Sequence, residues 1–600
     1  MDLGDLGLIG NCRISALVDA GGEIVWCCLP RFDSAPVFAR LLDPVAGGGF
    51  RIGPAPGPGT APAEESGRER RGTQRYRDNT NVLETTFEQG DSAFRVVDFA
   101  PRFLQHDRSF RPALIVRVIE PLRGSPRVAV HCEPILGWSR GRPARVDGSN
   151  HASYLGYDQE LRLCTDVPLA YLEGRPFTLT GRRYLVLSFG EPLQESLPQV
   201  CERFLSETER YWRRWVKHCN VPPMHQDLVI RSALVLKLHC YEDTGAIVAA
   251  MTTSIPEAPG SGRTWDYRYC WMRDAYYVLG ALRRLGHFEE RESFVQYLLD
   301  IVGGAGELAL RPLYRVDGRS DLQEHLLEDW PGYEGEGPVR VGNQAALHVQ
   351  HDVLGELVLA LAPVFHDQRF RAEQTQEVLE LLVRLTRRAV ADAGSPDAGI
   401  WELRTAWKPQ SFSTLMTWAG AERMAGVARL HAPHLESEFT SAALNLRREL
   451  DQRAWSPERN TYVGTYDGRD VDASLLQMAT LRYLAPGDPR LVSTIETISR
   501  ELDRGGWIQR YRIDDGFGEP TVAFVLCSLW CVEALSIIGR PEEAERLFAR
   551  VRGACSPLGL ISEDVDPATG RQWGNFPQAL SHVGLIHAAF TSSPRWSEVL

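Results

Sequence analysis

Val378-Leu-Glu-Leu-Leu-Val-Arg-Leu-Thr-Arg-Arg-Ala389 decides how the larger part of this 600-residue chain folds. Val378, Leu381, Leu382, Leu385 and Ala389 recur at intervals of three and four, which puts them on one face of an α-helix. Phe294, Tyr297, Leu298 and Ile301 repeat the pattern. Roughly a dozen such segments, separated by Gly/Pro-rich loops, fill residues 222–600 and predict a large all-α domain. No identical repeats occur, and paired helices of similar length would leave only a faint internal period. Toward the N-terminus the pattern changes near residue 195. Ala113-Leu-Ile-Val-Arg-Val-Ile119, Tyr184-Leu-Val-Leu-Ser-Phe189 and Phe94-Arg-Val-Val97 are short β-branched or aromatic runs, set apart by turn clusters such as Glu88-Gln-Gly-Asp91. Many short strands with frequent turns predict a β-sandwich over residues 1–194. Residues 44–75, rich in Gly, Pro and charge, read as a long surface loop. Residues 195–221, with Tyr211-Trp-Arg-Arg-Trp215, read as a linker helix, and 222–600 as the helical domain.

Composition narrows the function. The chain is 44% hydrophobic and 24% charged, with Lys+Arg 66 against Asp+Glu 78, a net charge of −12. A nucleic-acid binder would present a basic face, so that class is disfavoured, as is an anionic membrane surface. The apolar run Phe524–Ile538 contains Glu533, so no membrane span of about 18 apolar residues is expected. Twelve scattered cysteines with no C-x-x-C pair fit a reducing compartment. The first residues carry Asp2 and Asp5 and lack the basic-then-apolar layout of a signal peptide, so a cytoplasmic protein is expected. The composition is also compatible with a homo-oligomer.

Four loops carry the polar chemistry. Asp266-Tyr-Arg-Tyr-Cys-Trp-Met-Arg-Asp274 packs three aromatics, two Arg and two Asp into nine residues. Arg273 and Asp274 could grip sugar hydroxyls while Tyr267 or Trp271 packs a sugar face; the plainer reading is a helix-capping ion pair. In Gly399-Ile-Trp-Glu-Leu-Arg404 the carboxyl of Glu402 follows Trp401. A carboxyl desolvated against an indole would have a raised pKa and stay protonated for acid catalysis; alternatively Glu402 pairs with Arg404. Leu560–His582 holds Glu563, Asp564 and Asp566, of which Asp566 sits in an Asp-Pro-Ala-Thr-Gly turn. In Gly337-Pro-Val-Arg-Val-Gly-Asn-Gln344, Arg340 and Asn343 could reach a ligand, or Asn343 could cap a helix.

Other signatures are missing. There is no H-E-x-x-H, no phosphate-binding Walker loop and no G-x-S-x-G elbow. His348 and His351 are better read as ordinary histidines than as a metal pair, and Gly4–Gly10 lacks a strand–helix context. Neither metal nor cofactor is expected.

Taken together, the four loops resemble the active-site segments of glycoside hydrolase family 15, the glucoamylase and bacterial trehalase family, and occur in the same order. The N-terminal runs Leu8-Ile-Gly-Asn-Cys12, Asp19–Trp26 and Leu29–Ser34 are similar to the opening of that family's bacterial branch, so the resemblance covers nearly the whole chain. It implies a β super-sandwich, a linker helix and an (α/α)6 barrel with a pocket at one end. It implies Glu402 as general acid and Glu563 as general base. It also implies Arg273 and Asp274 on the non-reducing glucose, and Tyr267, Trp271 and Trp401 shaping the pocket, with Arg340 and Asn343 in a further active-site loop. Family members invert the anomeric centre, which requires a protonated carboxyl at the leaving oxygen and an ionised carboxylate that activates water on the other ring face. Two departures stand out. Leu403 replaces an acidic residue found after the acid in fungal glucoamylases, and Lys408–Ser413 lacks the histidines of related bacterial sequences. The expectation is therefore an α-glucoside hydrolase acting on trehalose or a short α-glucan. A glucoside phosphorylase or a non-catalytic sugar-binding protein on the same scaffold are the alternatives.

Overall fold

The computed structural model describes residues 1–55, 71–190, 192, 193, 195–303 and 310–600. Two compact units divide the chain. The first is Met1–Cys219 with Leu326–Val339 and Ser556–Leu560; the second is Asn220–His325, Arg340–Cys555 and Ile561–Leu600. The boundary is thus not one cut near residue 221, because two short stretches from the later part of the chain group with the first unit.

The first unit holds two antiparallel sheets. One runs Leu6–Gly10, Ser15–Asp19, Glu23–Cys28, Gly49–Pro54, Arg127–Glu133, Phe177–Thr178, with Pro36–Phe38 beside Glu23–Cys28. The other has eight strands and centres on Leu114–Arg123, which pairs with Arg183–Phe189 on one side and Ser92–Phe99 on the other. The alternation of Leu114–Ile119 explains the layering, since successive side chains point to opposite faces. Leu114, Val116 and Val118 pack with Val200, Phe204 and Leu205 of helix α1 (Leu197–Lys217). On the opposite face Arg117, fully buried, pairs with Asp98 at 2.7 and 3.1 Å and donates to the carbonyls of Phe50 and Gly22 of the other sheet. Such a buried ion pair is tolerated because each guanidinium nitrogen finds an acceptor. The segment expected as a linker is therefore a layer of this unit: its apolar stripe covers a sheet face that would otherwise be wet. Two further expectations change. Gly49–Pro54 and Thr73–Tyr76 are strands rather than surface loop; residues 56–70 of that expected loop lie outside the described residues.

The second unit is a double ring of helices. The inner ring is α3 (Met272–Leu285), α5 (Asp352–Leu361), α7 (Ser411–His431), the single turn α9 (Gln477–Thr480), α11 (Val525–Ile537) and α13 (Ala579–Ser592). Each packs on the next, with the turn before α9 completing its contact to α7, and α13 closes on α3. Outside them lie α2 (Gln226–His239), α4 (Glu289–Gly303), α6 (Gln376–Asp392), α8 (Glu436–Arg453), α10 (Pro489–Glu501) and α12 (Pro541–Ala554). Position in the ring follows pattern. Helix α6 buries Val378, Leu381, Leu382, Leu385 and Ala389 on one face, as an outer helix must. Helices α5, α7, α11 and α13 are buried round most of their circumference. Gly355 and Gly420 let α5 and α7 touch: a Cβ on Gly355 would lie 2.4 Å from the Met416 carbonyl oxygen. No described helix is long and apolar enough to cross a membrane.

Candidate active site

The N-terminal ends of α3, α11 and α13 surround a cavity lined by Tyr267, Trp271, Arg273, Asp274, Glu402 and Glu563, among others. The loop entering α3 is held by its own side chains. Buried Asp266 accepts from Arg268 at 2.9 and 2.7 Å and from the Tyr269 hydroxyl at 3.0 Å. This frees Tyr267, Trp271 and Arg273 to face the cavity. Tyr267 and Trp271 meet edge to face, 5.3 Å between centroids.

Glu402 sits at a backbone φ of +58°, in the left-handed region that most side chains avoid. Its Oε1 accepts from the Trp271 indole N–H at 2.7 Å, the Arg273 guanidinium at 3.1 Å and the Gln350 amide at 3.2 Å. Gln350 is in turn held by Arg273 at 2.8 Å. This arrangement corrects the expected electrostatics. Burial alone would raise the Glu402 pKa, but Arg273, then His348 and the Trp271 N–H, outweigh it and hold the carboxyl below its ordinary value. The indole that meets it is that of Trp271, edge on and donating, whereas neighbouring Trp401 turns away to Asp472 at 3.0 and 2.9 Å. Arg404 goes to Glu324 at 3.3 Å, so the expected alternative pairing is absent too.

Glu563 is positioned by a three-stranded ladder of Ala523–Phe524, Asp564–Val565 and Gln572–Trp573. Its Oε1 accepts from the Tyr267 hydroxyl at 2.8 Å and its Oε2 from the Asn575 N–H at 3.4 Å. Gly574, at φ +74°, passes so close that a Cβ there would lie 2.7 Å from the Glu563 Cβ. Burial, then the carboxylates of Asp564 and Glu257, push the Glu563 pKa well above normal, against the pull of Arg510 and Tyr267. Asp566 is the turn residue expected, accepting from Ala568 N–H and the Thr569 hydroxyl at 3.0 and 2.6 Å.

The remaining sequence candidates divide. Asp274 lines the same cavity, 3.7 Å from Arg273. Burial and Glu402 raise its pKa to about 6, against Arg273. Trp401 also lines it, edge on to Phe524 at 5.9 Å. Asn343 borders a second, adjoining cavity and caps a short 3-10 turn through Ala345 N–H at 2.9 Å. Arg340 lines neither cavity: it pairs with Glu324 at 2.7 Å and lies over Trp265, so it supports the loop instead of facing a ligand. The sequence reading missed Arg510, which lines both cavities, and Glu257, whose carboxylate holds it. The one visible signal was the polar-aromatic run Gln509-Arg-Tyr-Arg512, similar in character to 266–274.

The two cavities share Tyr267, Trp401, Glu402 and Arg510. Glu402 thus borders both, while Glu563 borders the inner one. The inner cavity ends on Tyr277, Leu526 and Trp530.

A model of glycosyl hydrolases family 15 matches residues 223–538, and one of trehalase-like N-terminal domains matches residues 2–141. The chain belongs to family 15. It is a glycoside hydrolase. A trehalase of Thermoplasma volcanium is 30% identical over 99% of this chain and 93% of its own length. A trehalase of Mycobacterium tuberculosis is 31% identical over 98% and 89%. A glucoamylase of a Clostridium species is 22% identical over 64% and 57%. Among solved structures, a bacterial glucoamylase complexed with acarbose superposes with a TM-score of 0.68 at 15% identity, covering 98% of this chain and 94% of that one. At that identity the likeness speaks for the family fold alone: β-sheet domain plus (α/α)6 barrel.

Proposed function

We propose that the protein is an inverting, exo-acting α-glucoside hydrolase, with Glu402 as general acid, Glu563 as general base and trehalose as substrate. The observation that carries this reading is the placement of the two carboxyls. An acid must reach the oxygen between two sugars, and Glu402 borders both cavities; a base must work under the terminal sugar, and Glu563 borders the inner one. The inner cavity would then take a single terminal glucose, held by Arg273 and Asp274 and packed by Trp271 and Trp401, which makes cleavage exo. The outer cavity would take the leaving sugar. Trehalose is favoured because the relatives named trehalases match over nearly the whole chain.

Protons must redistribute when substrate binds. In the free enzyme Arg273 favours an ionised Glu402, and buried acidic neighbours favour a protonated Glu563. Sugar hydroxyls compete for the Arg273 guanidinium and weaken its hold on Glu402. Arg510 and the Tyr267 hydroxyl favour the ionised form of Glu563. The pair therefore titrates as a unit, and its pH profile belongs to both groups.

The test is hydrolysis of trehalose, maltose, isomaltose, kojibiose and maltotetraose, without added metal or phosphate, with the anomers of released glucose followed by NMR. Inversion of trehalose yields equal amounts of α- and β-glucose at early times. Only α-glucose would overturn inversion, and no glucose from any substrate would overturn the hydrolase reading for these linkages.

A further inference from the structure

The barrel holds another cavity beyond the floor of the first. Its volume is about 1580 Å³, and it is lined by the later turns of α3, α7, α11 and α13 together with the end of α5 and residues 477–486. Tyr277 and Trp530, 5.8 Å apart between ring centroids, line both this cavity and the one holding Glu402 and Glu563.

Its charge runs against that of the protein. In a chain of net charge −12, seven arginines line this cavity against two carboxylates, Asp367 and Glu533. Asp367 is taken by Arg369, which is not part of the lining. Among the described residues only Arg423 of the seven forms an ion pair, with Glu422. Two cations, Arg283 and Arg284, lie in the last turn of α3, where the helix dipole favours positive charge. The dipole does not account for Arg447, which lies over the Tyr483 ring at 5.1 Å, nor for Arg291, which is buried and donates only to the carbonyls of Ala360 and Leu279. Arg284 faces Nδ1 of His587 at 2.9 Å. Burial, then Arg284 and Arg283, drive that imidazole down to about 3, so it stays neutral. Burial, then Arg283, bring Arg291 down to about 10. These shifts describe a positive field that Glu533 and Asp367, two carboxylates against seven guanidinium groups, offset only in part.

We propose that this far-end cavity binds a phosphate ester, its phosphate oxygens met by the guanidinium groups of Arg283, Arg284 and Arg447. Guanidinium forks match phosphate oxygens two at a time, which favours phosphate over a lone halide. The volume far exceeds what a bare ion needs and is larger than the ~300–1,000 Å³ of most small-molecule sites, which leaves room for an organic group beside the phosphate. Tyr276 and Tyr277, 4.8 Å apart between ring centroids, line the cavity where the organic part, a sugar or a nucleoside, would lie.

Calorimetric titration of the full-length protein in low-salt buffer tests this, with glucose 6-phosphate, magnesium-free ADP and inorganic pyrophosphate as probes, and glucose and adenosine as uncharged controls. Saturable binding of one ester, weakened at least tenfold by the double substitution Arg283→Gln/Arg447→Gln and by added salt, is expected. Among the described residues neither arginine is in an ion pair, and neither lines the cavity that holds Glu402 and Glu563, so the variant should hydrolyse sugar at the parent rate without ligand; its melt, read alongside, reports the lost contact of Arg447 with the Tyr483 ring. Which ester binds more tightly names the organic part. Pyrophosphate binding more tightly than both esters, binding undiminished in the variant, or no saturable binding would each overturn the proposal.

Discussion

The Tyr267 hydroxyl and Glu563 Oε1 are 2.8 Å apart, joining a loop that opens α3 to a ladder nearly three hundred residues later. The hydrogen bond stabilises the ionised form of a carboxyl that its other neighbours push toward protonation.

Removing that donor should therefore cost activity in a particular way. Tyr267→Phe should lower kcat about tenfold, the worth of one charge-assisted hydrogen bond of ~1.5 kcal/mol. With the donor gone the Glu563 pKa rises further. The acidic limb of kcat/KM should move to higher pH, and an unmoved limb would disprove this link.

The two carboxyl roles can be separated by leaving group. Glu402→Gln and Glu563→Gln should each reduce trehalose hydrolysis by about 10²–10⁴-fold. On α-glucosyl fluoride, whose leaving group needs no proton, Glu402→Gln should recover most of its rate and Glu563→Gln should not. The reverse pattern would exchange the two assignments.

Gly574→Ala should damage the site more than the fold. Its Cβ would press on Glu563, whose Oε2 lies 2.8 Å from it, at a φ where L residues are strained. A destabilisation of about 1–2 kcal/mol is expected, with a kcat loss that persists well below the melting temperature. Parent-like kcat would show that Glu563 tolerates displacement.

Stability should depend on Glu533, buried on α11 with its pKa raised to about 7 by burial, against the pull of Arg284. A carboxyl whose folded pKa is raised favours folding fully below its unfolded value, and that contribution is lost as pH rises through the folded one. Between about pH 4.5 and 7 the parent should lose up to ~3 kcal/mol from this group. Glu533→Gln should be more stable than the parent at pH 8 and indistinguishable from it near pH 4, read by thermal melts. Equal melts at pH 8 would disprove it.

What was legible in the sequence was what has a period. The stripe Val378 to Ala389 announced a helix, and the β-branched run Ala113 to Ile119 announced a strand. Gly49–Pro54 escaped because its glycines and proline imitate a loop, while pairing to distant Arg127–Glu133 overrode the local signal, and polar Thr73–Tyr76 escaped because it is an edge strand paired to Leu83–Gln89 with little apolar pattern of its own. The candidate acid and base loops stood out as clusters of aromatic and charged residues. Their electrostatics did not, because the Glu402 pKa depends on Trp271 and Arg273, more than a hundred residues earlier. Arg510, Glu257 and Asp564 come from three separate stretches of the chain, and no spacing rule links them.

The backbone of Glu402, at φ +58°, carries a consequence for anyone engineering heat resistance. Glycine and asparagine adopt that conformation with less strain than glutamate, by about 1 kcal/mol. Against that gain, a shorter side chain would deprive the buried Arg273 guanidinium and the Trp271 N–H of the carboxylate that accepts from them. Melting temperature alone therefore mixes two opposed effects at this residue and is blind to its proposed proton transfer, so thermostability screens on this scaffold need turnover measured alongside melting.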